Sequence, residues 1–154
     1  MAAARAYLLD TNIVLHATRK NSPLSAAVEA QFGLTRSGLR PAICEVTVAE
    51  LSGFTISQKW GEARTRLLRQ ILEGMFVLPI SLPGVHQRWS EIYSHARSGG
   101  LAIQHDHNDI WIAAVAGLSG LELLSTDKAA FMPLRGTQWF DVVVLDARTG
   151  AVLA

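Results

Sequence analysis

Five short apolar runs recur along this chain, AYLL, PAICEV, FVLPI, LELLS and DVVVLD, separated by segments whose apolar residues repeat at helical spacing. That alternation is the tightest constraint on what the chain can fold into. Continuous apolar runs of this length suit strands buried on both faces, and spacings of three and four residues mark the helices that cover them. Leu67, Leu68, Ile71 and Leu72 share one side of a segment from Glu62 to Glu73. Val85, Trp89, Ile92, Tyr93 and Ala96 do the same from Val85 to Arg97, and the pattern stops at Gly99 and Gly100. The expected fold class is α/β, with a central, mainly parallel β-sheet flanked by helices on both faces.

Strands are expected at 6–9, 41–46, 76–80, 121–125 and 141–146. Helices are expected at 11–18, 24–34, 47–58, 62–73, 85–97, 109–117 and, as a single turn, 128–131. With 154 residues, of which 49% are hydrophobic and 18% charged, the chain is expected to form one domain over 1–154 and to bury a full core without staples. Lysine and arginine number 14 against 13 acids, so net charge is near neutral and any nucleic-acid site must be local. Cys44 stands alone and suits a small buried hydrophobe in a reducing compartment. The longest nearly apolar run, Ile110 to Leu118, is far short of the ~20 residues a bilayer requires, which points to the cytoplasm. No phosphate-cradling G-x-x-x-x-G-K-[ST] or dinucleotide-binding G-x-G-x-x-G occurs, and LLDTN lacks the second acid of a D-x-D phosphatase motif.

Four acids fall at comparable places. Asp10 ends the first strand, Glu50 lies in the helix after the second, Asp109 opens a helix, and Asp127 follows LELLS. In an open parallel α/β sheet the carboxyl ends of the strands form the ligand-binding edge. Each acid also has a structural use: Asp10 and Asp109 as helix caps, Thr47 and Glu50 as a T-x-x-E capping box, Asp127 in a turn. If the four converge, two carboxylates ~5 Å apart at an effective dielectric of ~20 repel by about 3 kcal/mol, so the cluster needs protons or a cation. Oxygen donors without cysteine, and without histidines at metalloprotease spacing, favour Mg²⁺ or Mn²⁺ over zinc. Such ions commonly serve phosphoryl transfer and backbone hydrolysis.

LLDTNIVL, VTVAEL, NDIWIAAVA and LLSTDKAAF, in that order between residues 8 and 131, resemble the four acidic motifs of PIN-domain ribonucleases, especially VapC-type toxins of prokaryotic toxin–antitoxin modules. The D-x-x-I-A-A frame of DIWIAA is the most distinctive. The resemblance implies that Asp10, Glu50, Asp109 and Asp127 are the metal-binding catalytic acids, with Asn12 and Thr126 as supporting polar groups. It further implies a PIN-like domain, Mg²⁺ or Mn²⁺, an RNA substrate cut to leave a 5′-phosphate and a 3′-hydroxyl, a small antitoxin that blocks the site, and a homodimer. His105, Asp106 and His107 depart from the pattern, and Asp106 is placed to assist or replace Asp109.

Two other function classes fit the same residues, a non-catalytic PIN-like module that binds RNA or protein, and a metal-dependent DNA or flap nuclease. Cation binding separates the first and a substrate panel the second. Arg19 and Lys20 after the first helix, and Lys128 beside Asp127, are candidates to steer phosphates toward the acids, and Lys59, Arg64, Arg66 and Arg69 form a denser basic stretch on an amphipathic helix. Trp89 and Trp111 fall in apolar helical patterns and are assigned to the core, whereas Trp60 and Trp139 lie near turns.

Overall fold

The computed structural model describes residues 5–35, 38 and 40–153. Among them the chain runs β1 (Tyr7–Leu9), α1 (Thr11–Ala17), α2 (Pro23–Phe32), β2 (Ala42–Cys44), α3 (Glu45–Ser57), α4 (Glu62–Glu73), β3 (Phe76–Leu78), α5 (Val85–Ser98), α6 (His107–Ser119), β4 (Glu122–Ser125), α7 (Lys128–Phe131) and β5 (Val142–Val144). Two 3-10 turns, Ala102–His105 and Met132–Leu134, join the later elements. The strands form a five-stranded sheet in the order β3-β2-β1-β4-β5, and every neighbouring pair is parallel. The expected α/β class with helices on both faces is what the chain adopts.

Pleating sorts the strand residues into two cores. Leu8, Ala42, Cys44, Leu123 and Val144 face one cluster, built with Val85, Ile92 and Ala96 of α5 and Ile110 through Ala116 of α6. Their neighbours Leu9, Ile43, Leu124 and Leu145 face the other, with Ile13, Val14, Leu24, Val28, Leu51 and Leu68 from α1 to α4. Both faces are therefore covered, and continuous apolar strands follow. Cys44 is fully buried, and burial pushes its thiol up to about 11, as expected of an inert hydrophobe.

Local chemistry fixes the helix ends. Ser22 caps α2 by accepting the Ser25 N–H at 3.2 Å, Pro23 occupies its first turn, and Gly33 closes it at φ 60°. The second strand is shorter than the expected 41–46: Glu45 and Val46 already belong to α3, where the Glu45 carboxylate favours the helix N-terminus and accepts the Ile80 N–H at 2.6 Å. Thr47 and Glu50 consequently sit inside the helix and form no capping box. Helix α6 likewise starts two residues before the expected Asp109, because Asp106 is its cap and accepts the Asp109 N–H at 3.2 Å.

Trp89 and Trp111 are half-buried against the α5–α6 core, with ring centroids 5.4 Å apart. Gly117 lets α6 pass close to the chain at Trp139: a Cβ there would collide with the Trp139 carbonyl and the Arg88 guanidinium, which bond each other. No described helix is long and apolar enough to cross a membrane.

Candidate metal centre

The strand order reverses at β1. From β1 the chain steps outward to β2 and β3, then crosses back to lay β4 on the other side. A crevice opens beyond the carboxyl ends of the strands at such a switch point. Asp10 leaves β1 there and Asp127 leaves β4 two residues after Ser125, with their backbones joined by Asp10 N–H to the Leu124 carbonyl at 2.9 Å. Glu50 arrives from the second turn of α3, and Asp109 from the first turn of α6.

Asp10 is 2% exposed and both its oxygens are engaged. Oδ1 accepts the Thr11 N–H at 2.8 Å, and Oδ2 accepts the Ser125 hydroxyl at 2.6 Å. Ser125, fully buried, also accepts the Asp127 N–H at 3.0 Å, so one hydroxyl ties the first acid to the last. Asp127 in turn caps α7 through Oδ1 and the Ala130 N–H at 2.9 Å. Glu50 Oε1 accepts the Thr11 hydroxyl at 2.7 Å, and that hydroxyl lies 3.1 Å from the Thr47 hydroxyl. Asp109 is 8% exposed, and its carboxylate accepts no hydrogen bond among the described residues.

These differences show in the protonation equilibria. Burial pushes Asp10 up to about 6, held back by the Ser125 hydroxyl and the Thr11 N–H, with the charges of Glu50 and Asp127 adding to the rise. Asp109 is pushed up to about 8, first by burial and then by the charges of Asp10, Asp106, Asp127 and Glu50. With no donors to offset desolvation and four carboxylates acting on it, Asp109 is held above Asp10. Asp109 thus lies within electrostatic reach of Asp10, Glu50 and Asp127, and Asp10 within reach of Glu50 and Asp127, with exposed Asp106 also felt by Asp109.

The donor set fits a hard divalent cation. It offers oxygens only, and no basic side chain pairs with any of the four acids among the described residues. The cage is not preassembled: among the described residues no group of three His, Cys, Asp or Glu stands at ligating geometry. Among the described residues Glu50 Oε2, Asp127 Oδ2 and both Asp109 oxygens accept no hydrogen bond, and each engaged oxygen keeps a spare lone pair.

Of the supporting groups expected from sequence, Asn12 is exposed and Thr126 half-buried, and neither side chain makes a hydrogen bond among the described residues. The acids are wired instead by Thr11 and Ser125, each one position away, and by Thr47. Their signal in the sequence was polarity at a position where strand pleating or helix packing demands burial. His105 and His107 are exposed; His107 packs edge-on to Trp89 and Tyr93 rather than joining the acids.

The sequence pattern of the PIN domain matches residues 7–131. No curated protein sequence matches. Among solved structures, the fold is similar to that of a chain of VapBC2 from Rickettsia felis bound to a promoter DNA fragment, with TM-score 0.73 and 20% identity over 89% of this chain and 96% of that one. It is also similar to VapBC-5 of the VapBC family of toxin–antitoxin systems from Mycobacterium tuberculosis, with TM-score 0.63 and 24% identity over 91% and 98%. FitAcB from Neisseria gonorrhoeae gives TM-score 0.67 and 24% identity over 88% and 95%. At these identities the likeness is one of fold.

Proposed function

This chain belongs to the PIN-domain family, and from that premise we propose that it is a divalent-cation-dependent endoribonuclease, the toxin of a toxin–antitoxin pair. The observation that carries the reading is the acidic cluster at the switch point, where burial disfavours Asp109 and Asp10 as anions and neither has a cationic partner among the described residues. Asp10, Glu50, Asp109 and Asp127 are the residues that would hold Mg²⁺ or Mn²⁺. When bound, the ion supplies Lewis-acid polarisation of a phosphate oxygen and a water of lowered pKa. The chain's own part is positional. Thr11 orients Glu50, Ser125 fixes Asp10 and the Asp127 backbone, and Asp109 keeps a proton near neutral pH until a cation replaces it.

A small antitoxin as partner draws support from the toxin–antitoxin systems among the similar structures. A homodimer, a single PIN-like domain over 1–154 and a cytoplasmic site of action complete the reading. The test is cleavage of total RNA by the purified protein with Mg²⁺ or Mn²⁺ and with EDTA, alongside single-stranded DNA, with the ends mapped. Cation-dependent RNA products carrying 5′-phosphates are expected, and Asp10→Asn or Asp109→Asn should lower the rate at least ~100-fold, the scale of losing a principal electrostatic group. Cleavage that persists in EDTA, or undiminished in both variants, overturns it.

A further inference from the structure

Beyond the acids, one cluster of charge is built with unusual care. Thr18 caps the C-terminus of α1 and donates its hydroxyl to the Leu15 carbonyl at 2.6 Å. The same hydroxyl accepts from Arg64 Nε and Nη2, each at 3.2 Å, and the Arg64 guanidinium lies over the Trp60 ring, 3.6 Å from its centroid. Three contacts therefore hold a guanidinium in place without a carboxylate among them. Arg19 follows Thr18 directly and is exposed. Its charge reaches both Arg64 and His16, lowering the pKa of each after burial has done so. Neither arginine has an ion-pair partner among the described residues, whereas Arg66 pairs with Glu62 and Lys128 with Asp146. Two like charges kept together and unpaired favour an anion between them.

The pair also stands on the correct side of the sheet. Helix α2 ends beside β1's start, where Phe32 meets Tyr7 edge-on with centroids 5.2 Å apart. Helix α4 ends beside β3's start, where Arg40 bonds the carbonyls of Glu73, Gly74 and Met75. Crossover helices between parallel strands run back against them, so the beginnings of α2 and α4, which carry the Thr18–Arg19 turn and Arg64, lie toward the carboxyl edge. Along α1, Thr18 is eight residues from Asp10, about 12 Å at 1.5 Å per residue. A short run of nucleotides spans that distance.

Resting on the ribonuclease reading, we propose that Arg19 and Arg64 clamp a backbone phosphate of single-stranded RNA away from the scissile bond, with Thr18 and Trp60 holding Arg64 in the clamping pose. Arg64 presents a fixed planar fork, and exposed Arg19 closes on the phosphate from the other side. The contact is to backbone charge, so it positions the strand and carries no base specificity.

The test is fluorescence anisotropy of a labelled oligouridine in EDTA, across a salt series, for wild type, Arg19→Gln, Arg64→Gln and the double variant, with KM for the same RNA measured in Mn²⁺. For single strands each phosphate contact contributes about 0.7 to the log–log salt slope, or roughly 5-fold in affinity at ~0.1 M salt. Both arginines grip the same phosphate, so each single variant should bind up to about 5-fold more weakly and the double about 5-fold in all, with the slope reduced by about 0.7 in total and KM raised in step. The Arg19 side chain is exposed and makes no hydrogen bond or ion pair among the described residues, so its variant reads the clamp even if loss of Arg64 loosens the α1–α4 junction. Unchanged affinity and slope in Arg19→Gln and in the double variant overturn the clamp, while wild-type cleavage leaves the nuclease reading standing. Clamp-dependent RNA binding without any cleavage does the reverse. Retention of polyglutamate but not RNA through Arg19 also overturns it, assigning the pair to an acidic protein segment.

Discussion

Asp109→Asn should make the cation-free protein more stable while removing its function. In the folded chain Asp109 is pushed up to about 8; in the unfolded chain an aspartate titrates near ~3.9. Between those values the native state holds a proton that the unfolded state has released, so wild-type stability falls as pH rises from about 4 to about 8, then levels off. About four units at 1.36 kcal/mol each set a ceiling near ~6 kcal/mol. Part of that rise comes from neighbouring carboxylates at a solvent-open edge, where an effective dielectric of about 20 brings the realised effect to about 2–4 kcal/mol. Asparagine carries no charge, so the variant keeps only the fall between about pH 4 and 6 that the raised Asp10 carboxyl imposes on both proteins. Urea unfolding followed by circular dichroism in EDTA is the assay. The variant should match wild type within about 1 kcal/mol at pH 5 and exceed it by about 2–4 kcal/mol at pH 8.5. Saturating Mn²⁺ should restore wild type by about 2.7 kcal/mol at a hundredfold excess over Kd, and the variant far less. A variant less stable than wild type at pH 8.5, or a difference that does not change with pH, would refute the claim that residue 109 is an uncompensated buried anion.

Two further outcomes test the wiring. Ser125→Ala removes the hydroxyl that serves both Asp10 and Asp127, so the Asp10 midpoint should rise above about 6 and stability should drop by about 1–3 kcal/mol; carboxyl-carbon NMR titration reads the midpoint, and an unmoved one counts against the bridge. Mn²⁺ affinity should strengthen from pH 6 to pH 8.5 with release of protons, because Asp10 and Asp109 must deprotonate to bind; a flat profile in isothermal titration contradicts the assigned ligands.

The sheet was legible because buried parallel strands leave continuous apolar runs; Asp10 and Asp127 follow such runs and Asp109 lies in the first turn of a helix, whereas Glu50 sits in the second turn of α3, where no local signal marks it. Helix beginnings were less legible. Glu45 follows an apolar strand without a break and looks like its continuation, yet its carboxylate suits a helix N-terminus and an amide of residue 80. Asp106 and Asp109 are both acceptable caps, and only the direction of the hydrogen bond decides between them. Thr11 and Ser125 carry no local signal for a different reason. Their partners are 39 and 115 residues away, and no local period encodes a bond across such separations. Adjacency in the familiar motif drew attention to Asn12 and Thr126, but helix and strand geometry turns neighbouring side chains to different sides, and the residue beside the expected one reaches the acids.

Asp10 and Asp109 are both buried, and the contrast between them explains how the fold carries a cluster of negative charge. Asp10 is anchored by a backbone amide and a buried hydroxyl, so its desolvation is partly offset within the chain and its position is fixed before anything binds. Among the described residues Asp109 has no donor, and it faces four carboxylates, so its offset must come from outside, as a proton or, on the function proposed above, as a cation. Supplying Asp109 with an internal donor would steady the free protein and blunt its response to cations. If the proposed cation binds there, its binding energy is concentrated where the charge is least tolerated, and the stability of the domain should then report cation occupancy.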